Sequence, residues 1–171
     1  GIRDSETWLE FRRVLFRSLI QQTFYRFTKI CPPENIYIVT SEVYVELVKK
    51  QLPDLHDEQI LAEPYRKNTA PCVAFASYKI FRKNPDANII VAPSDHIITD
   101  ETAFINTALK GLVFASEKDC LITLGIKPHR PDTGYGYIQF IADETTETGT
   151  CLKIGRAHVW TPVTFRNLVC R

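Results

Sequence analysis

Apolar positions along this chain alternate between two spacings. From Leu19 to Ile30 they fall at Leu19, Ile20, Phe24, Phe27 and Ile30, one face of a helix. Cys31-Pro32-Pro33 then stops it, because proline has no N–H to extend the ladder. Asn35 to Thr40 is β-branched and apolar on both faces, which predicts a short buried strand. Ser41 is placed to cap a helix from Glu42 to Gln51, ending before Pro53. Gln59 to Ala62 predicts a second strand that closes on Glu63-Pro64. Asn68 or Thr69 caps a helix that runs to Lys83, with Pro71 tolerated in its first turn. Asn84-Pro85-Asp86-Ala87 reads as a turn and Asn88 to Ala92 as the clearest buried strand. Thr99 or Asp100 caps a helix from Glu101 to Ser116. Cys120 to Leu124 and Tyr135 to Phe140 predict two more strands.

Strands that alternate with helices in this way argue for right-handed β-α-β units. The expected fold class is α/β: a Rossmann-like open, mostly parallel sheet with helices on both faces. In such sheets ligands bind beyond the carboxyl ends of the strands. The 171 residues suit one domain, and 44% apolar with 24% charged residues fits a soluble globular chain. A net charge of +1 gives no electrostatic footprint for nucleic acid or an anionic membrane. No apolar run has the length of a membrane span, and nothing reads as a secretory signal. Cys31, Cys72, Cys120, Cys151 and Cys170 form no CxxC pair, so thiols in a reducing cytoplasm are expected.

Three segments at predicted strand ends carry candidate chemistry. Asp95, just after the strand Asn88 to Ala92, is either a Mg²⁺ ligand or a turn-capping acid; both suit a carboxylate at that place. His96 beside it is a structural turn residue or an outer donor. Glu63 follows another strand. Its ionised carboxylate only accepts hydrogen bonds, so it matches the adjacent ring N–H and exocyclic amine of guanine and not adenine; otherwise it is an ordinary loop acid. Arg66 and Lys67 meet phosphates or solvent. Asn68 and Thr69 offer backbone N–H groups at a helix start, which favour an anion and equally serve as the cap. Gly134, Tyr135 and Gly136 allow backbone to approach a sugar, or make a tight turn into a strand. Lys127-Pro128 and Arg130-Pro131 stiffen the approach and add positive charge.

Taken together, Glu63-Pro64 with Arg66-Lys67-Asn68-Thr69-Ala70-Pro71, then Pro93-Ser94-Asp95-His96, then Leu124-Gly125-Ile126 with Pro128, Arg130-Pro131 and Thr133-Gly134-Tyr135-Gly136-Tyr137, resemble the mannose-1-phosphate guanylyltransferases. Leu19-Ile20-Gln21-Gln22-Thr23-Phe24 resembles the family's first helix. The resemblance implies the nucleotide-diphospho-sugar transferase fold and transfer of GMP from GTP to mannose 1-phosphate. It implies Mg²⁺ as cofactor with Asp95 as catalytic metal ligand, Glu63, Pro64, Asn68, Thr69 and Ser94 near the nucleotide, and Gly134, Tyr135 and Gly136 against the sugar. Partners are then GTP and mannose 1-phosphate, with the oligomeric state of the full-length protein left open. Another sugar-1-phosphate nucleotidylyltransferase and a non-catalytic nucleotide-binding module are the alternatives.

The family's Gly-rich phosphate loop is missing ahead of Leu19, and its later Glu-Lys-Pro segment and second metal-binding acid are missing after Lys153. The ends instead resemble translated sequencing adapters: Gly1 to Ser18, with Trp8-Leu9-Glu10-Phe11-Arg12-Arg13, and Ile154 to Arg171, with Arg156-Ala157-His158-Val159-Trp160. The expected organisation is therefore a non-native segment at 1–18, an incomplete catalytic domain at 19–153 and a non-native segment at 154–171. A chain without a phosphate cradle is expected to be inactive.

Overall fold

The computed structural model describes residues 17–65, 69–118, 120–126, 136–145, 152–158 and 169–170. They form two compact units. The first contains residues 17–65 and Ser94–Ile105; the second contains residues 69–93 and the described residues from Asn106 onward.

In the first unit, α1 spans Leu19–Phe27. Ser18 and Gln21 form a reciprocal capping box: Ser18 Oγ accepts from the Gln21 amide at 3.4 Å while Gln21 Oε1 accepts from the Ser18 amide at 3.0 Å, which satisfies two orphan donors at the helix start. The predicted end at Ile30 is reached in a different form. The α-helix closes at Phe27, and the Lys29 and Ile30 amides then bond to Arg26 O at 3.2 Å and Phe27 O at 2.9 Å, a tighter winding that runs into Pro32-Pro33.

A 3-10 turn at Pro33–Asn35 delays the next strand, so β1 is Ile38–Ser41 and not the predicted Asn35 to Thr40. A second 3-10 turn, Glu42–Tyr44, precedes α2, Val45–Gln51. Ser41 stands at the predicted cap position, but its side chain makes no capping bond. The strand β2, Ile60–Glu63, pairs parallel with β1, with Ile38 opposite Ile60 and Ser41 opposite Glu63.

The core of this unit is Phe24, Ile36, Val48, Leu52, Leu55 and Ile60, with Ile20, Phe27, Cys31, Ile38 and Val45 packed against it. It joins the apolar faces of α1 and α2 to the two strands. Among the described residues Leu61 is the most enclosed large side chain, at 1% exposure, and burial of such a leucine contributes about 2 kcal/mol. Burial pushes the Cys31 thiol pKa up, with the nearby Glu34 adding to the shift.

In the second unit, α3 spans Thr69–Lys83 and β3 is Ile90–Val91. Between them the predicted turn forms, with the Asp86 amide on Asn84 Oδ1 at 3.1 Å. The helix α4 spans Glu101–Glu117, its first turn in the first unit and the remainder in the second. Of the two predicted caps, Asp100 makes the bond: its Oδ1 accepts from the Ala103 amide at 2.9 Å. The strands β4 (Ile122–Thr123), β5 (Tyr137–Thr145), β6 (Leu152–His158) and β7 (Val169–Cys170) follow.

The strand β7 lies between β3 and β4 and is antiparallel to both. Two strands antiparallel to one neighbour are parallel to each other, so β3 and β4 share the direction expected of β-α-β units. The antiparallel strand between them has no counterpart in the sequence reading, nor does β6. The latter pairs antiparallel with β5, with Tyr137 opposite His158 and Gln139 opposite Arg156. No described helix is long and apolar enough to cross a membrane.

Candidate active site

Parallel pairing with β1 carries Glu63 to the end of β2, where it is half-buried opposite Ser41. Pro64 and Tyr65 beyond it are exposed. Ser94 and Asp95 form an exposed turn in the same unit, and His96 is half-buried beside them. Thr69 and Gly136 belong to the second unit: Thr69 opens α3, half-buried, and Gly136 is exposed just before β5. Thr69 is therefore a residue of the helix itself. Arg66, Lys67, Asn68, Lys127, Pro128, Arg130, Pro131, Gly134 and Tyr135 lie outside the described residues.

The sequence reading missed the side chains behind the Ser94–Asp95 turn. Thr23, buried on α1, donates from Oγ1 to the Ser94 carbonyl at 3.2 Å. Arg26, one turn on and only 4% exposed, donates from Nη1 to Thr23 Oγ1 at 3.5 Å. Its Nε lies 3.4 Å from Glu101 Oε1 without forming a hydrogen bond, so that contact is a charge pairing. Lys29 binds the other oxygen of Glu101. The Arg26 guanidinium sits 5.8 Å from the Phe104 ring centroid, and Phe27 meets the same ring edge-on. A buried cation is tolerated only when paired and hydrogen-bonded, and here that pairing grips the segment from Ser94 to Glu101 at both ends. One signal was present in the sequence: Thr23 falls within the apolar arc of α1 and Arg26 at its edge, where a polar side chain needs a partner.

Among the described residues no group of three His, Cys, Asp or Glu side chains is arranged to hold a metal ion. Asp95 does suit a different arrangement. Its carboxylate is exposed and engaged by no other side chain among the described residues, and Mg²⁺ is commonly held by one or two carboxylates together with substrate phosphates and water. A shallow cavity of about 370 Å³ opens in the first unit, lined by Phe24, Tyr25, Glu34, Asp54, His56 and Gln59 among others. None of the sequence-selected residues lines it, so it is separate from the candidate site.

Alternating helices and strands, a parallel β1–β2 pair and an antiparallel β3–β7–β4 sheet define an open α/β protein. Two solved structures share the fold: a Thermus thermophilus protein described as a mannose-1-phosphate geranyltransferase, with TM-score 0.71 and 23% identity over 89% of this chain and 44% of that one, and a Helicobacter pylori mannose-6-phosphate isomerase, with TM-score 0.66 and 23% identity over 90% of this chain and 59% of that one. The chain belongs to the nucleotidyl transferase family, whose model matches residues 12–150. Among curated relatives, the xanthan biosynthesis protein XanB of Xanthomonas campestris pv. campestris is 39% identical over 71% of this chain and 26% of its own length. A mannose-1-phosphate guanylyltransferase of Salmonella montevideo is 38% identical over 72% of this chain and 26% of its own. The alginate biosynthesis protein AlgA of Pseudomonas aeruginosa is 36% identical over 70% and 23%. The chain thus spans about a quarter of the length of these relatives.

Proposed function

We propose that this chain is part of a mannose-1-phosphate guanylyltransferase, which moves GMP from GTP to mannose 1-phosphate and releases pyrophosphate. The observation that carries the proposal is the 38% identity, over 125 residues, to a relative of that name. The stretch that resembles the family contains Glu63, Asp95 and Gly136. In the reaction an oxygen of the sugar phosphate forms a bond to the α-phosphorus of GTP as the bond from that phosphorus to the bridging oxygen breaks. Two anions must be brought into line and their charge neutralised, which is positioning and electrostatics more than proton transfer.

Glu63 would accept hydrogen bonds from the guanine ring N–H and exocyclic amine. Asp95 and the phosphates would share a Mg²⁺ ion, which when bound supplies charge neutralisation at the phosphoryl oxygens. Thr69 would present backbone N–H groups of the α3 start to the nucleotide, and Gly136 would allow main chain close to the hexose. Placement in the cytoplasm is part of the same proposal.

Calorimetric titration of the chain with GTP, ATP, UTP and dTTP in the presence of Mg²⁺ tests the base assignment. GTP should bind tightest, and Glu63→Gln should reduce the preference for GTP over ATP by about tenfold, the worth of one charged hydrogen bond. Equal affinity for all four nucleotides, or an E63Q variant with unchanged preference, overturns guanine recognition by this residue.

A further inference from the structure

We propose that Thr23 and Arg26 are positioning residues that fix the Ser94–Asp95 turn and so set the affinity of Asp95 for a divalent cation; this rests on Asp95 being a metal ligand. Asp95 is exposed, and no neighbouring side chain among those described holds its carboxylate in one orientation. What is anchored is the main chain that carries it.

The backbone is held from α1. Thr23 Oγ1 donates to Ser94 O at 3.2 Å, one peptide unit before Asp95. A threonine hydroxyl has one proton and two acceptor sites. That proton is given to Ser94, and Arg26 Nη1 donates to the same oxygen at 3.5 Å, which fixes the direction in which the hydroxyl points. Arg26 is held in turn by Glu101, with Nε at 3.4 Å from Oε1, and Lys29 completes the pairing of that carboxylate.

Ser94 and Glu101 are thus the two anchored ends of one segment, and Asp95 lies beside the first anchor. Outer residues that orient a ligand typically alter metal affinity by about tenfold or more when removed. The helix α1 therefore acts on the cation through Ser94 and does not touch it.

Paramagnetic broadening of the Asp95 backbone amide in ¹H–¹⁵N spectra, as Mn²⁺ is titrated into the chain, reads this directly and reports weak binding. Thr23→Val keeps the shape and removes the donor. It should require about tenfold more Mn²⁺ for equal broadening, and Thr23→Ser, which keeps the hydroxyl, should behave as the parent chain. Arg26→Lys retains the charge but loses the fork that meets Thr23 and Glu101, and should shift the titration in the same direction.

Thermal melts of each variant separate this effect from loss of fold. If Thr23→Val does not fold, the comparison passes to Arg26→Lys. A parent-like Mn²⁺ response in the folded variant overturns the positioning role and leaves Asp95 as a ligand. If Asp95→Asn broadens as readily as the parent chain, or the parent shows no broadening, Asp95 is not a metal site and the inference falls with that reading.

Discussion

A primary amide carries two N–H donors and a carbonyl acceptor, and Gln59, buried at 5% exposure, uses all of them. Its Nε2 donates to Pro33 O and Ile36 O, each at 2.7 Å, and its Oε1 accepts from the His56 amide at 3.1 Å. The turn at Pro33–Asn35 is thereby tied to the start of β2. Gln59→Leu fits the volume but strands two carbonyls and an amide, and should cost about 3 kcal/mol in urea unfolding. Gln59→Glu gives a sharper test. An ionised carboxylate would face two carbonyl oxygens with nothing to donate, whereas the protonated acid donates to one. The folded state then holds the proton more tightly than the unfolded chain, so the folded pKa is raised. Its deficit relative to the parent should be smallest near pH 4 and grow as pH rises through the raised pKa; a deficit independent of pH contradicts the burial of this side chain. At this scale the sequence was informative about Glu63 and Asp95, which stand at a strand end and in a turn as their neighbours predict. It could not join Thr23 to Ser94, because a contact between residues 71 positions apart leaves no local mark.

Elements with strong local chemistry formed where the pattern put them. Both ends of α4 lie within one residue of expectation, and its start is fixed by the Asp100 bond to the Ala103 amide. Asp100→Ala should lower stability by about 1 kcal/mol while Asp100→Asn stays near neutral, measured by thermal denaturation followed at 222 nm. Ser18→Ala should cost a similar amount, since Ser18 Oγ caps Gln21 and also donates to Gln51 Oε1 at 2.6 Å. The strands were less legible. The two-residue β3 and β4 are much shorter than the apolar runs that announced them, because pairing and not side-chain type decides where a strand begins and ends. The start of β1 slipped to Ile38 because the preceding residues are engaged by the Gln59 amide. No periodic signal announces β7, since two residues are too few to show a period.

For the molecule as a whole, the described surface is rich in large apolar side chains. No residue of α3 is fully buried, and Phe75, Tyr78 and Phe81 are 45%, 73% and 56% exposed. Apolar surface of this extent binds hydrophobic dyes and invites association. The chain should enhance the fluorescence of anilinonaphthalene sulfonate, and Phe75→Gln with Phe81→Gln should lower that signal without lowering helix content; an unchanged signal would place the dye elsewhere. The β3–β7–β4 sheet has a consequence in time. Ile90 and Ile122 both face Cys170 across the ladder, so the middle strand is the last of the three to be synthesised. Closing the loop from β3 carries an entropic cost that local contacts do not share, and such long-range pairings form late. Until then β3 and β4 wait as nascent neighbours with open edges, and this interval is when the chain is most exposed to pairing with another copy of itself.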